Sequence, residues 1–419
     1  VTALGRVGDR RLLAGVSSFG YSGTIAHVLL EEAPAGHGRS VGDHVSAEAR
    51  SAMFSPKRYS GGGNIDRLLQ TSTFNEFDDS TVYKTYLHGG LLRQWLGDHV
   101  LHGEVVFPGA AMLDMALAVS LKGRSFSSQR SALDSAVAVV HLEGFSILHP
   151  VVVADSRVTH QAPSSIWCVV EGDGSLQWCS DSSSVGWGVV DDGEAEEGRV
   201  MHAWCSASST RPSRLPDWSS VEQKFKEASL KCTRSIEAAS LYSRFAESGL
   251  PYGPTFRLIE SILVSEDGDC VLSQLSVGAV DMHESYVLSP AVLDAVLQSA
   301  AGAAMGDPTC VASEPTTATL PQVPYAFDDV WVRPSLIASL RDGKTCSVVV
   351  EVRSQATDMS VFDVSLLNPY GEAVLHLSGL YTRSISSLYS LRDGSGVAEE
   401  DIPYFEMCGR WRTSVVSGI

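Results

Sequence analysis

No CxxC pair occurs in this chain: its eight cysteines, Cys168, Cys179, Cys205, Cys232, Cys270, Cys310, Cys346 and Cys408, stand far apart. Structural zinc and small disulfide frameworks both need clustered, regularly spaced ligands. The spacing therefore fits reduced thiols in a cytoplasmic setting, and no metal is expected. Basic residues are also scarce, with 31 Lys and Arg against 49 Asp and Glu and a net charge of −18. Binding to nucleic acid draws on clustered Lys and Arg that neutralise phosphates, so no nucleic-acid partner is expected. The third absence is a long apolar run. No stretch approaches the eighteen residues that would suggest a membrane-spanning helix. The opening residues, VTALGRVGDRRLLAG, lack the form of a signal peptide and read as the middle of a longer protein. What the chain does have is a 44% hydrophobic content over 419 residues, enough for the cores of two or three soluble domains.

The pattern changes along the chain. In residues 1–34, RLLAGVSSFG reads as a strand entering a glycine turn and IAHVLLEE as a strand leaving it. From 35 to 81 the text is rich in Gly, Ser, Asp and Arg, with SGGGN at 60–64, and reads as a linker. Residues 82–386 are dominated by short alternating segments such as SIWCVVEG, CSVVVEVRS and AVLHLSGLYTR, the signature of antiparallel sheet. Two apolar, helix-like runs interrupt them: GAAMLDMALAVSL from Gly109 and PAVLDAVLQSAAGAAM from Pro290. Ala111, Leu113, Asp114 and Leu117 match Ala291, Leu293, Asp294 and Leu297 at one constant offset. The expectation is two copies of one α+β unit, about 82–215 and 230–386, each an antiparallel sheet around a long central helix. Residues 387–419 read as a further linker.

Three constellations could carry chemistry. In HVLHGEVVFP, His99 precedes Gly103 and Pro108 at the mouth of the first apolar run. It could be a catalytic base, a metal ligand or a hydrogen-bonded core residue. The glycine would let a ligand carbonyl approach backbone amides near the helix N-terminus. In GLPYGPTF, Gly253 and Pro254 make a turn, while Tyr252 and Phe256 could line a pocket or simply fill the core. In the second run, Asp294 and Gln298 lie four residues apart on one helix face. A carboxyl buried there must be hydrogen-bonded, paired, or raised in pKa. Asp114 holds the matching place in the first run; there the ordinary reading is a solvent-facing or capping residue. If the two units pack as a pair, a base from one can face an acid from the other across an apolar tunnel. Base, acid and amide-held carbonyl are what a syn elimination of water beside a thioester needs.

These segments resemble the HxxxGxxxxP, YGPxF and DxxxQ signatures of polyketide synthase dehydratase domains, carried here by HVLHGEVVFP, YGPTF and DAVLQ in the same order. The resemblance implies a double hotdog fold over 82–386 and a hydro-lyase acting on a 3-hydroxyacyl chain. His99 would be the base and Asp294 the acid, with Tyr252, Gln298, Gly103, Pro108, Gly253, Pro254 and Phe256 around the substrate. It implies no bound cofactor, because the phosphopantetheine arm arrives with an acyl carrier protein, and it implies a homodimer. Double-bond isomerases and pyran-forming relatives often alter the aspartate or the first motif's proline, whereas Asp294 and Pro108 are both present here; these relatives and an inactive scaffold domain are the alternatives to a dehydratase. The family commonly has a His-Pro pair before the aspartate helix, where this chain has Ser289-Pro290. Residues 1–34 resemble the C-terminal tail of a ketosynthase. His27 matches the second active-site histidine of that family, and Ile25 replaces its usual asparagine. Without a nucleophilic cysteine segment the tail is expected to add no catalysis. The short distance from this tail to the dehydratase resembles modules served by a separate acyltransferase.

Overall fold

The computed structural model describes residues 13–19, 25–31, 68–75, 79–87, 95–126, 139–153, 165–181, 199–207, 215–277, 286–306, 322–342, 345–356 and 359–384. The chain divides into two compact units, Val1–Gly62 and Gly63–Ile419. In the first, β1 (Leu13–Phe19) and β2 (Ile25–Glu31) form an antiparallel hairpin in unbroken register from Leu13↔Glu31 to Phe19↔Ile25.

The second unit begins with β3 (Thr71–Asn75), β4 (Ser80–Tyr86), the short β5 (Val100–Leu101) and β6 (Glu104–Phe107), and helix α1 (Gly109–Phe126). Then come β7 (Val140–Ile147), β8 (Val151–Val152), β9 (Ser165–Val170), β10 (Ser175–Asp181) and β11 (Arg199–Ala207). The second half follows with α2 (Trp218–Lys231), β12 (Cys232–Glu237), α3 (Ala238–Glu247), β13 (Ile259–Ser265) and β14 (Cys270–Ser276). It closes with α4 (Pro290–Gln298), α5 (Ala301–Gly306), β15 (Gln322–Val332), β16 (Thr345–Gln355), β17 (Met359–Leu367) and β18 (Ala373–Ser384).

The two sheets expected from the sequence are halves of one. Among the described residues, thirteen strands run in the order β12-β13-β14-β16-β17-β18-β15-β7-β11-β10-β9-β4-β3, and β5, β6 and β8 form a small separate sheet. The halves join where β15 pairs with β7, antiparallel, from Ala326↔Ser146 to Val332↔Val140. Joining them there gives each half's edge a partner instead of leaving two rows of unpaired backbone groups. Phe327 and Phe145 sit opposite each other on this seam with ring centroids 5.5 Å apart, and Phe145 packs on Trp178 at the same separation. The aromatic core is therefore continuous through the join.

Both central helices carry a stretch that is apolar on nearly every face, and burial on every side is the environment that such a stretch requires. Each residue from Ala110 to Val119 is buried, as is each from Pro290 to Gln298. Fully burying a Leu, Val or Met contributes about 1.5–3 kcal/mol, so this pair anchors the unit. The second run does not make one long helix, contrary to expectation. Ser299 Oγ donates back to the Ala295 carbonyl at 3.0 Å. The Ala300 and Gly302 N–H groups then reach only three residues back, to Leu297 and Ser299. This tightening separates α4 from α5, as a back-bonding serine within a helix favours.

The linker expected over 35–81 is corrected at its far end. Leu68 and Leu69 are core residues and β3 pairs with β4. The signal was weak because β3, TSTFN, is an edge strand with four of its five residues exposed, and so carries no apolar alternation. The rest of that linker, 35–67, and the one at 387–419 lie outside the described residues. Helix α2 was not anticipated. Asp217 caps it by accepting from the Ser219 and Ser220 N–H groups. Its Val221 and Ala228 cluster with Cys232, Cys270, Leu272, Val349, Leu367 and Ala373 on the outer face of the second half.

Candidate active site

The HVLHGEVVFP segment folds as a β5–β6 hairpin that delivers the chain to α1. His102 and Gly103 form its two-residue turn with φ of 49° and 84°. Positive φ at both central positions is the type I′ condition that matches strand twist. Gly103 is exposed, and a Cβ there would meet nothing within 4 Å. The positive φ by itself calls for glycine at this turn. Pro108 supplies the carbonyl that accepts from the Ala111 and Met112 N–H groups as α1 begins.

His99 stands at the foot of this hairpin. Its Nδ1 lies 2.8 Å from the Val106 carbonyl, and its own carbonyl accepts from the Val106 N–H at 3.1 Å. A carbonyl can only accept, so Nδ1 carries a proton, and in the neutral form of such an imidazole the lone pair lies at Nε2. That nitrogen is 3.8 Å from Asp294 Oδ1. The two halves therefore contribute one residue each to a facing pair.

Asp294 is 7% exposed within α4. Gln298 Nε2 donates to its Oδ2 at 2.6 Å and to the Phe256 carbonyl at 3.1 Å. The Tyr252 hydroxyl faces the Asp294 carboxyl and Gln298. Burial raises the pKa of Asp294 above the usual carboxylate value, against the opposing pull of His99, Gln298 and Tyr252. Burial likewise pushes the Tyr252 phenol well above its ordinary value. The walls are aromatic: the His99 ring meets Phe256 at 5.2 Å and Tyr252 at 5.7 Å, both edge-on, and Trp95 meets Phe256 at 5.9 Å.

The structure thus gathers His99, Asp294, Gln298, Tyr252 and Phe256. Pro254 opens the single 3₁₀ turn (Pro254–Phe256) that carries Phe256 inward. Gly253 was expected to serve the turn's conformation, yet its φ of −82° is open to any residue. What demands glycine is space, since a Cβ would collide with the Asp98 carboxylate.

Asp98 was not singled out from the sequence. Its Oδ2 accepts from the Thr255 N–H at 2.9 Å and the Thr255 hydroxyl at 2.5 Å, and its carbonyl accepts from Gly253 N–H at 2.7 Å. The His102 N–H donates to the Gly249 carbonyl at 2.6 Å. Together these bonds lace the His99 loop of the first half to the YGPTF loop of the second. Tyr242 was also missed. Its ring fills the apolar face of α3 beside Leu241 and Phe245, and its hydroxyl donates to Gln298 Oε1 at 3.3 Å. The signals available were the carboxylate adjoining His99 and a phenol on the apolar side of an amphipathic run. Asp114 corrects the expectation of a solvent-facing or capping residue: it is 0% exposed, and its Oδ1 accepts the Leu288 N–H at 2.8 Å.

Two hotdog halves sharing a sheet, with a histidine of one facing a buried acid of the other, define a dehydratase-type double hotdog domain. The comparisons agree. The profile described as polyketide synthase dehydratase domain matches residues 67–165, and that described as polyketide synthase dehydratase N-terminal domain matches 222–391, more than half of the chain together. The chain belongs to the polyketide synthase dehydratase family, a family of hydro-lyases. Polyketide synthase PksL of Bacillus subtilis (strain 168) is 26% identical over 298 residues, 70% of this chain and 6% of that protein. Polyketide synthase ThaG of Burkholderia thailandensis is 22% identical over 74% of this chain and 5% of its own length. The chain thus spans a small part of these curated relatives. Among solved structures, the dehydratase domain from the CurJ module of curacin polyketide synthase matches with a TM-score of 0.56 and 17% identity, over 77% of this chain and 97% of that one. A trans-AT dehydratase domain from Brevibacillus brevis matches with 0.53 and 22%, over 77% and 100%. Among the described residues no helix is long and apolar enough to cross a membrane.

Proposed function

We propose that this domain removes water from a 3-hydroxyacyl thioester on the phosphopantetheine arm of an acyl carrier protein, leaving a 2,3-unsaturated acyl thioester during polyketide chain elongation. The observation that carries the reading is the His99 Nε2 to Asp294 Oδ1 pair at 3.8 Å, with the other imidazole nitrogen committed to Val106. The Nε2 lone pair takes the proton from C2. The electrons of that C–H bond form the C2=C3 double bond as the C3–O bond breaks. The hydroxyl departs as water with the proton of Asp294, whose pKa burial raises above the usual carboxylate value. The thioester carbonyl gains negative charge as C2 is deprotonated. The Gly109 and Ala110 N–H groups, which precede those that bond to the Pro108 carbonyl, suit that oxygen.

Tyr252 and Gln298 hold the acid, and Phe256 and Trp95 line the apolar wall along which the acyl chain lies. No bound cofactor enters the scheme. The partners that go with it are the carrier protein, a neighbouring ketosynthase and other domains of a longer synthase, and a second copy of the domain. Two structural neighbours are described as inactive mutants, one of CurJ with a histidine changed to phenylalanine and one of CurK with an aspartate changed to asparagine. Dependence of those relatives on a histidine and an aspartate supports the pairing here.

The test is mass spectrometry of carrier-bound 3-hydroxyacyl thioesters after incubation with the protein. Loss of one water with a 2,3-double bond is expected. A shifted double bond or a ring would instead assign the isomerase or pyran-forming chemistry, and unchanged substrate across a panel of chain lengths would make the domain a scaffold.

A further inference from the structure

Gln298 has two ways to sit, because its amide oxygen and nitrogen are nearly alike in shape and opposite in hydrogen bonding. Only the arrangement with Nε2 toward Asp294 leaves the acid a donor on Oδ2. Two neighbours bear on the choice. The Phe256 carbonyl, 3.1 Å away, can only accept. The Tyr242 hydroxyl, 3.3 Å from Oε1, receives the Ile259 N–H at 3.1 Å. Its own hydrogen goes to the Gln298 carbonyl. A one-way chain results, from the Ile259 N–H to the Tyr242 hydroxyl to the Gln298 carbonyl, and from the Gln298 amide to Asp294 Oδ2.

We propose that Tyr242 is a positioning residue for the dehydration: by donating to Gln298 it fixes the orientation of that amide, and thereby leaves Asp294 Oδ1, the oxygen facing His99, to carry the transferred proton. This deepens the assignment of Asp294 as the acid and rests on it. Tyr242 touches neither His99 nor the place of the reacting atoms, so its influence passes through Gln298. The groups facing Asp294 from the packed elements are His99 from the first half, Tyr252 from the YGPTF loop and Gln298 from its own helix. Tyr242 from α3 stands behind Gln298, with the Arg257 guanidinium 5.6 Å from its ring.

Asp294 must be protonated to act, so its ionisation sets the alkaline limb of the kcat profile. Donation by Gln298 favours the carboxylate. Weakening that donation moves the limb to higher pH, whereas mere loosening of the pocket would admit water, relieve burial and move it to lower pH. The experiment measures kcat, KM and the pH profile of Tyr242→Phe, alone and combined with Gln298→Ala. The expected result is a fall in kcat of ~3–10-fold, the worth of one hydrogen bond, with KM nearly unchanged and the alkaline limb shifted upward. In the Gln298→Ala background Tyr242→Phe should add nothing. An unmoved or lowered limb, or an undiminished loss in the Gln298→Ala background, overturns the proposal. If Tyr242→Phe does not fold, fluorotyrosine at 242 retains the hydroxyl and makes it a stronger donor, so the limb must move to lower pH; no movement overturns the proposal equally. Failure of the underlying acid assignment looks different, because the parent protein itself would then lack the two-limbed profile.

Discussion

Helices α1 and α4 carry the same short pattern, and each places an aspartate at the matching position, yet the two carboxyls do opposite things. Asp114 is spent on a backbone bond, accepting the Leu288 N–H at 2.8 Å. Asp294 turns one oxygen to Gln298 and the other to His99. Both reach across to the other half: Asp114 to the residue just before Ser289-Pro290, and Asp294 to the hairpin that precedes α1. The repeat conserves a packing solution, and the chemistry depends on what the opposite half presents. The first aspartate sets the approach of the helix that bears the second.

The sharpest way to break this comparison is to remove the facing pair. His99→Phe or Asp294→Asn should each lower turnover by about 10²–10⁴, the range for a positioned acid or base, with the circular dichroism spectrum unchanged. The double variant should cost little more than the worse single one, since the two act in one step. Rates that fell independently and multiplied would separate the two residues mechanistically.

Asp98→Ala tests the lacing between halves. It strips two hydrogen bonds from Thr255 and should lower stability by about 1–3 kcal/mol in denaturant titration. Turnover should drop as well, because His99 follows directly in sequence. Stability loss with full activity would mean that the base does not depend on that clamp.

Asp294→Asn should also change how stability depends on pH. In the unfolded chain the carboxyl ionises near its ordinary value, whereas burial raises it in the folded state. Between those two values the folded protein holds the extra proton, so stability falls as pH rises and levels off above the folded pKa. Asparagine has no such dependence. The variant should match the parent in thermal unfolding near pH 4 and gain on it as pH increases, whereas a constant difference across pH would deny the raised carboxyl.

How much of this was legible depended on whether a residue's role lies in its own neighbourhood. The strands, the two apolar helices and His99, Asp294, Gln298, Tyr252 and Phe256 could be read because burial imposes periodicity and the three signatures fix spacing. The break at Ser299 turned on one side-chain hydrogen bond, and β3 sits at an exposed edge, so neither left a pattern. Gly103 holds a positive φ and Gly253 needs room for Asp98, and the spacing of the signatures states neither reason. Asp98, Tyr242 and the true role of Asp114 all depend on partners more than fifty residues away, and no local pattern encodes those.

The smallest effect, and the one that most sharpens the comparison, belongs to Asp114. Asp114→Ala leaves the buried Leu288 N–H without its acceptor and should cost about 1–3 kcal/mol of stability by chemical denaturation. Because Leu288 leads into α4, some of that cost should reappear as a modest loss of turnover. Asp114→Asn is the cleaner probe: it retains an oxygen at the place of Oδ1 and can still accept from Leu288 while removing the carboxyl. If the first aspartate is structural, Asp114→Asn should fold normally and turn over within a few-fold of the parent, with the same pH profile. If it abolished dehydration while Asp294→Asn did not, the halves would have exchanged roles, and the acid would have to be sought in α1.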